Sequence, residues 1–194
     1  MRKVLPILLL AGCAFRISGA SAPTDETVRL TPADIAAAES DVCVQDWVGP
    51  HPGPNRAKAL SLLDDRGVVV IERRVLRRTT AYARRLRVGK DFWKRPLAEQ
   101  SAILSHELVH YCQRDLLGDE QFVVDYGDSV GRWRLEVPAY AQTIRTMILQ
   151  GDGKWVDGYI DDRIPRMRNF YLLWNIDPAQ YETETRRIWE AVPR

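Results

Sequence analysis

The chain has 194 residues, 45% hydrophobic and 28% charged, which suits one domain with a sizeable core and excludes a disordered or fibrous chain. Removing Arg2 and Lys3, with residues 1–12, from the 28 basic residues leaves 26, matching the 26 acidic ones. Net charge therefore gives no argument for nucleic acid, and no nucleic-acid partner is expected.

In chain order, MRKVLPILLLAGC comes first: a basic start, a short apolar run from Val4 to Ala11, then small residues before Cys13. This is the layout of a secretory signal, too short to span a membrane as a helix. Leu10-Ala11-Gly12-Cys13 resembles a bacterial lipobox, which implies lipidation of Cys13 and attachment to a membrane through that lipid. A simple signal cut near Ala20-Ser21-Ala22 is the alternative. The expected organisation is a signal peptide over 1–12, a tether over 13–30 and a single domain over 31–194. The expected location is exported and periplasmic, as a membrane-anchored lipoprotein. In such an oxidising compartment Cys43 and Cys112 either form a disulfide or stay as two buried thiols.

Thr31-Pro32 with Asp34 predicts a helix start, and the helix should run to about Trp47. The loop GPHPGPN (49–55) contains His51 and leads to a short helix over Arg56–Leu63. VVVIERRVL and TAYARRLRVG read as strands paired antiparallel around Arg77 to Thr80. Their arginines, from Arg73 to Arg87, suit either a solvated strand face or a surface recognising acidic groups. Pro96 opens a helix that ends near Gly118, and further helices are expected near Ser129–Leu149, Trp155–Trp174 and Asp177–Ala191. The fold class expected is α+β, mainly helical, with a small antiparallel sheet packed on an active-site helix.

The Pro96 helix carries SHELVHYCQ (105–113). His106 and His110 are four residues apart, one turn along one face, so two imidazole nitrogens can share one ion. Glu107 follows the first histidine and leans to the side of the pair, where it can take a proton from an activated water. Two satisfied core histidines are the plain alternative. A catalytic zinc needs a third protein ligand. Glu136, in GRWRLEVPAYAQTIRTM, lies on an apolar stripe of the next long helix, where a metal would satisfy a buried carboxylate. A surface salt bridge from Glu136 to Arg132 or Arg134 is the competing explanation. His51, Asp119, Glu120, Asp125 and Asp128 are other candidate ligands. Pro138 should kink this helix or move its start to near Glu136. Cys112 lies about 200° round the helix from His110 and should point away from the metal.

HELVHYCQ followed one helix later by Glu136-Val137-Pro138-Ala139 resembles the zincin metallopeptidases, specifically the gluzincin pattern, over residues 68–150. The resemblance implies a zincin-like fold and a Zn2+ cofactor held by His106, His110 and Glu136. It also implies Glu107 as general base, a peptide or protein substrate, and a tyrosine or histidine stabilising the oxyanion. Tyr140 is the candidate for that last role, ahead of Tyr126 and Tyr111. The chain departs from the family in lacking an evident second lobe. A catalytically inactive zincin-like binding domain and a structural envelope lipoprotein are the alternatives to a zinc-dependent peptidase.

Overall fold

A computed structural model of the chain describes residues 27–44, 56–73, 80–82 and 84–193. Cys13, His51, the expected signal peptide and the helix's predicted end at Trp47 lie outside the described residues. Among the described residues no helix is long and apolar enough to cross a membrane.

The fold is mainly helical. Helix α1 (Pro32–Glu39) opens with a reciprocal cap: Asp34 N–H donates to Thr31 Oγ1 at 3.2 Å, and Thr31 N–H donates to Asp34 Oδ2 at 2.9 Å. It stops at Glu39 instead of continuing to Trp47. Ser40 Oγ donates back to Ala36 O, and Asp41 Oδ1 accepts from Cys43 N–H at 2.8 Å, turning the chain. Residues 28–30, read as the end of the expected tether, pair with the helical domain. Val28 bridges Ile176, and Leu30 is buried with its backbone paired to Gln180.

Helix α2 (Arg56–Asp65) leads into β1 (Val69–Arg73), β2 (Thr80–Tyr82) and β3 (Arg85–Gly89). The sheet order is β1-β3-β2, and β1 runs parallel to β3, with Val70 opposite Leu86. This corrects the expected antiparallel pairing of the two long strands. TAYARRLRVG is itself a hairpin, with Thr80 opposite Arg87, so β3 takes the centre and β1 joins its far edge. Among the described residues only the short β2–β3 pair is antiparallel. Leu86 and Val88 bury one face of β3 against Ala59, Leu63, Leu104 and Leu108, joining the sheet and α2 to α3 (Leu97–Leu117).

Helix α3 is the centre of the molecule. Gln100 to Tyr111 are all buried, as expected of a helix covered on all sides. Its buried serine hydroxyls are satisfied locally: Ser101 Oγ donates to Leu97 O and Ser105 Oγ to Ser101 O. Gly118, at φ +80°, turns the chain into α4 (Asp119–Gly127), a helix absent from the sequence reading. Asp128 caps α5 (Ser129–Leu149), which lies along α3. Pro138 neither ends α5 nor moves its start. Carbonyls beside the proline take side-chain donors: Leu135 O from Gln113 and Val137 O from Trp189. Helices α6 (Val156–Phe170) and α7 (Pro178–Glu190) close the far side of α5 around Trp133, Trp189 and Tyr181.

Candidate metal centre

The helical repeat of α3 brings His106 and His110 together as their spacing requires. Their Nε2 atoms lie 3.2 Å apart, with the ring planes at 83°. Glu136 reaches them from α5, with Oε2 3.5 Å from His106 Nε2 and Oε1 3.5 Å from His110 Nε2. All three side chains are buried, and together they can hold a metal ion. The salt-bridge alternative for Glu136 fails. Arg132 donates to the carbonyls of Tyr126, Gly127 and Tyr171, while Arg134 faces Asp34 and Asp125.

The donors fit a small cation in chemistry and spacing. Two nitrogens on a tetrahedral ion at 2.0–2.1 Å stand about 3.3 Å apart, close to the separation observed here. Glu136 Oε1 accepts from Tyr126 Oη–H at 2.6 Å, whereas the wholly buried Oε2 has no hydrogen-bond partner. A buried carboxylate oxygen beside two imidazole nitrogens is costly unless a positive charge joins them.

Without a metal, a proton meets that demand. Burial pulls the His110 imidazolium down, but Glu136, by charge and hydrogen bonding, with further help from Glu107 and Gln113, outweighs it and lifts the group to about 9. Burial pushes the Glu136 carboxyl up, and the two histidines more than reverse this, leaving it well below the usual carboxylate range.

Glu107 is fully buried beside this group, and its charge reaches His110. Tyr140 lies one turn after Glu136 and sets its ring edge against His106, with centroids 4.6 Å apart. Burial raises its phenol far above the ordinary range despite the nearby Arg163, whose guanidinium lies 5.6 Å from the ring centre. The hydroxyl therefore keeps its proton.

The outer nitrogens are also engaged. His110 Nδ1 faces Gln113 Oε1 at 3.0 Å, and His106 Nδ1 faces Thr143 Oγ1 at 3.4 Å. Gln113 and Thr143 are residues the sequence reading missed, while Tyr126, read there as a weaker oxyanion candidate, donates to Glu136. Gln113 was within reach of that reading, because it follows His110 by three positions on the same helix face. Thr143 follows Glu136 by seven positions, which likewise puts both on one face.

The other candidate ligands stay outside the centre. Asp119 pairs with Arg114, Asp125 with Arg134 and Gln121, Asp128 caps α5, and Glu120 is exposed. Cys112 points away, as expected, and forms a disulfide with Cys43 across a Cα–Cα distance of 5.6 Å. Of the arginine-rich stretch, Arg84 is committed to Asp115 at 2.6 Å, while Arg85 is exposed.

The chain matches no protein-family model, no curated protein and no solved structure.

Proposed function

We propose that the protein is a zinc-dependent peptidase built on a reduced zincin-like core, with α3 and α5 as the metal-binding pair and the small sheet packed on α3. The observation that carries this reading is the buried triangle of two imidazole nitrogens and one carboxylate, with Glu107 directly after the first histidine. Two imidazoles and one carboxylate are the donor set typical of catalytic rather than structural zinc. Zinc held there would supply Lewis acidity, bringing the pKa of water towards neutrality. His106 and His110 present their Nε2 lone pairs, and Glu136 contributes the negative charge. Glu107 takes the proton from the attacking water and returns it to the leaving amine nitrogen. Tyr140 holds a proton near the developing oxyanion. The Cys43–Cys112 disulfide agrees with an oxidising, exported setting, and Cys13 would tether the domain to a membrane in the envelope.

The test is zinc content and hydrolysis of a broad peptide panel by the wild type and by Glu107→Gln. The substitution should leave zinc in place and lower hydrolysis by roughly 10²–10⁴-fold. A variant that cleaves at the wild-type rate removes Glu107 from its role.

The closure of the centre favours a second reading, a metal-retaining binding domain without turnover. His106 and His110 are 2% and 4% exposed, and Glu107 and Glu136 are both at 0%. Stoichiometric zinc with no hydrolysis by the wild type selects that reading. A chain that binds no metal at all returns the histidines to packing, as in a structural lipoprotein.

A further inference from the structure

Gln113 is 3% exposed and makes three polar contacts. Its Nε2 lies 2.6 Å from Asp41 Oδ2 and 3.1 Å from Leu135 O, and its Oε1 lies 3.0 Å from His110 Nδ1. An ionised carboxylate and a backbone carbonyl can only accept, so the amide NH2 must face them. The amide oxygen is then left to face His110, and it too can only accept. His110 Nδ1 must therefore carry a hydrogen, and with a metal bound Nε2 is the nitrogen that offers its lone pair towards His106 and Glu136. His106 is held more loosely: the Thr143 hydroxyl lies 3.4 Å from its Nδ1 and shares its single proton with Ala139 O at 3.3 Å.

Asp41 is itself held. Its Oδ1 accepts from Cys43 N–H at 2.8 Å, and Cys43 is bonded to Cys112, the residue immediately before Gln113. The disulfide and the Asp41–Gln113 hydrogen bond are thus two parallel links between the turn after α1 and the same turn of α3. They lie 72 positions apart in sequence for the hydrogen bond and 69 for the disulfide, so no local chain geometry would hold Asp41 there.

We propose that Asp41 and Gln113 are positioning residues that fix His110 in the Nδ1–H tautomer, and that the Cys43–Cys112 disulfide clamps them, making metal affinity depend on the disulfide. The inference rests on the metal reading above and deepens it. Oxidation of the cysteines seats Asp41, which aims Gln113, which aims the imidazole. Reduction frees the turn and leaves the ring to choose its own orientation.

The test uses the whole chain and zinc alone as the probe. Zinc dissociation constants come from competition with a chromogenic chelator. The ring N–H of His110 is followed by nitrogen-edited proton spectroscopy on the zinc-loaded protein. Gln113→Leu should weaken zinc binding by roughly 10–100-fold and abolish the protected Nδ1–H signal. Cys43→Ala combined with Cys112→Ala should weaken binding by about tenfold. In that background Gln113→Leu should cost less than it does in the oxidised chain. Asp41→Ala removes the acceptor of one amide hydrogen while leaving Leu135 O and His110 Nδ1 their partners, and should weaken zinc binding by less than Gln113→Leu. This variant keeps the test open if the leucine variant does not fold, and wild-type affinity in it removes Asp41 from the positioning role. Equal zinc affinity and an unchanged N–H signal in Gln113→Leu overturn the positioning role. Equal affinity without the disulfide overturns the clamp. A wild type that binds no zinc fails earlier, and overturns the metal reading together with this inference.

Discussion

Replacing Glu136 by Gln keeps the shape of the side chain and removes its charge. In the metal-free wild type His110 is lifted from its ordinary 6.5 to about 9, with burial opposing the lift and Glu136 the leading cause of it. A folded-state pKa above the unfolded one stabilises the fold fully below 6.5, and the contribution is lost as pH rises towards 9. A lift of that size corresponds to roughly 3 kcal/mol. Glu136, depressed, is ionised throughout this window and contributes no slope of its own. Metal-free wild type should therefore lose stability between pH 6.5 and 9. In Glu136→Gln the leading attraction is gone and burial dominates, so the imidazolium is disfavoured. That variant should be nearly flat from pH 7 to 9 and should lose stability as pH falls towards 5. The assay is urea unfolding in the presence of a strong chelator, at intervals from pH 5 to 9. Parallel stability curves for the two proteins would refute the coupling of Glu136 to His110.

Three other perturbations probe the scaffold. A Cβ at Gly131 would stand 2.3 Å from the Asp125 backbone oxygen, where α4 approaches α5. Gly131→Ala should cost about 1–3 kcal/mol by thermal unfolding, and an unchanged melting temperature would contradict that packing. Tyr126→Phe removes the 2.6 Å hydrogen bond to Glu136. It should destabilise the metal-free chain by about 1.5–3 kcal/mol and weaken zinc binding by about tenfold, measured by chelator competition. The disulfide closes a loop with a sequence separation of 69 and should stabilise the fold by roughly 4 kcal/mol in the chain-entropy treatment. Urea midpoints of oxidised and reduced protein check this figure, and equal midpoints would contradict it.

Much of the site was legible because its signals are local. Pro96 and Gly118 bracket α3, the apolar spacing marks α5, and the four-residue histidine offset follows from helical geometry alone. Glu136 was legible too, as a carboxylate on an apolar stripe has few uses. What escaped depends on tertiary contact. Residues 119–127 are a short run between a glycine turn and a cap, and α4 is held where Gly131 lets α5 approach it, so Tyr126's reach to Glu136 had no local sign. The hairpin inside TAYARRLRVG pairs Tyr82 with Arg85, and the segment before its final glycine has no glycine or asparagine to announce it, so the stretch reads as one strand paired with VVVIERRVL. Asp41 lies 72 positions before Gln113, and only the folded chain brings them together.

Zinc K-edge absorption fine structure on the chain loaded with one equivalent of zinc reads the coordination sphere itself. It should show two imidazoles and light-atom ligands at about 2.0–2.1 Å, with no sulfur. Substituting His106, His110 or Glu136 should each remove one ligand from that sphere. A sphere containing sulfur, or fewer than two imidazoles, or a chain that does not retain the ion, would contradict the proposed centre.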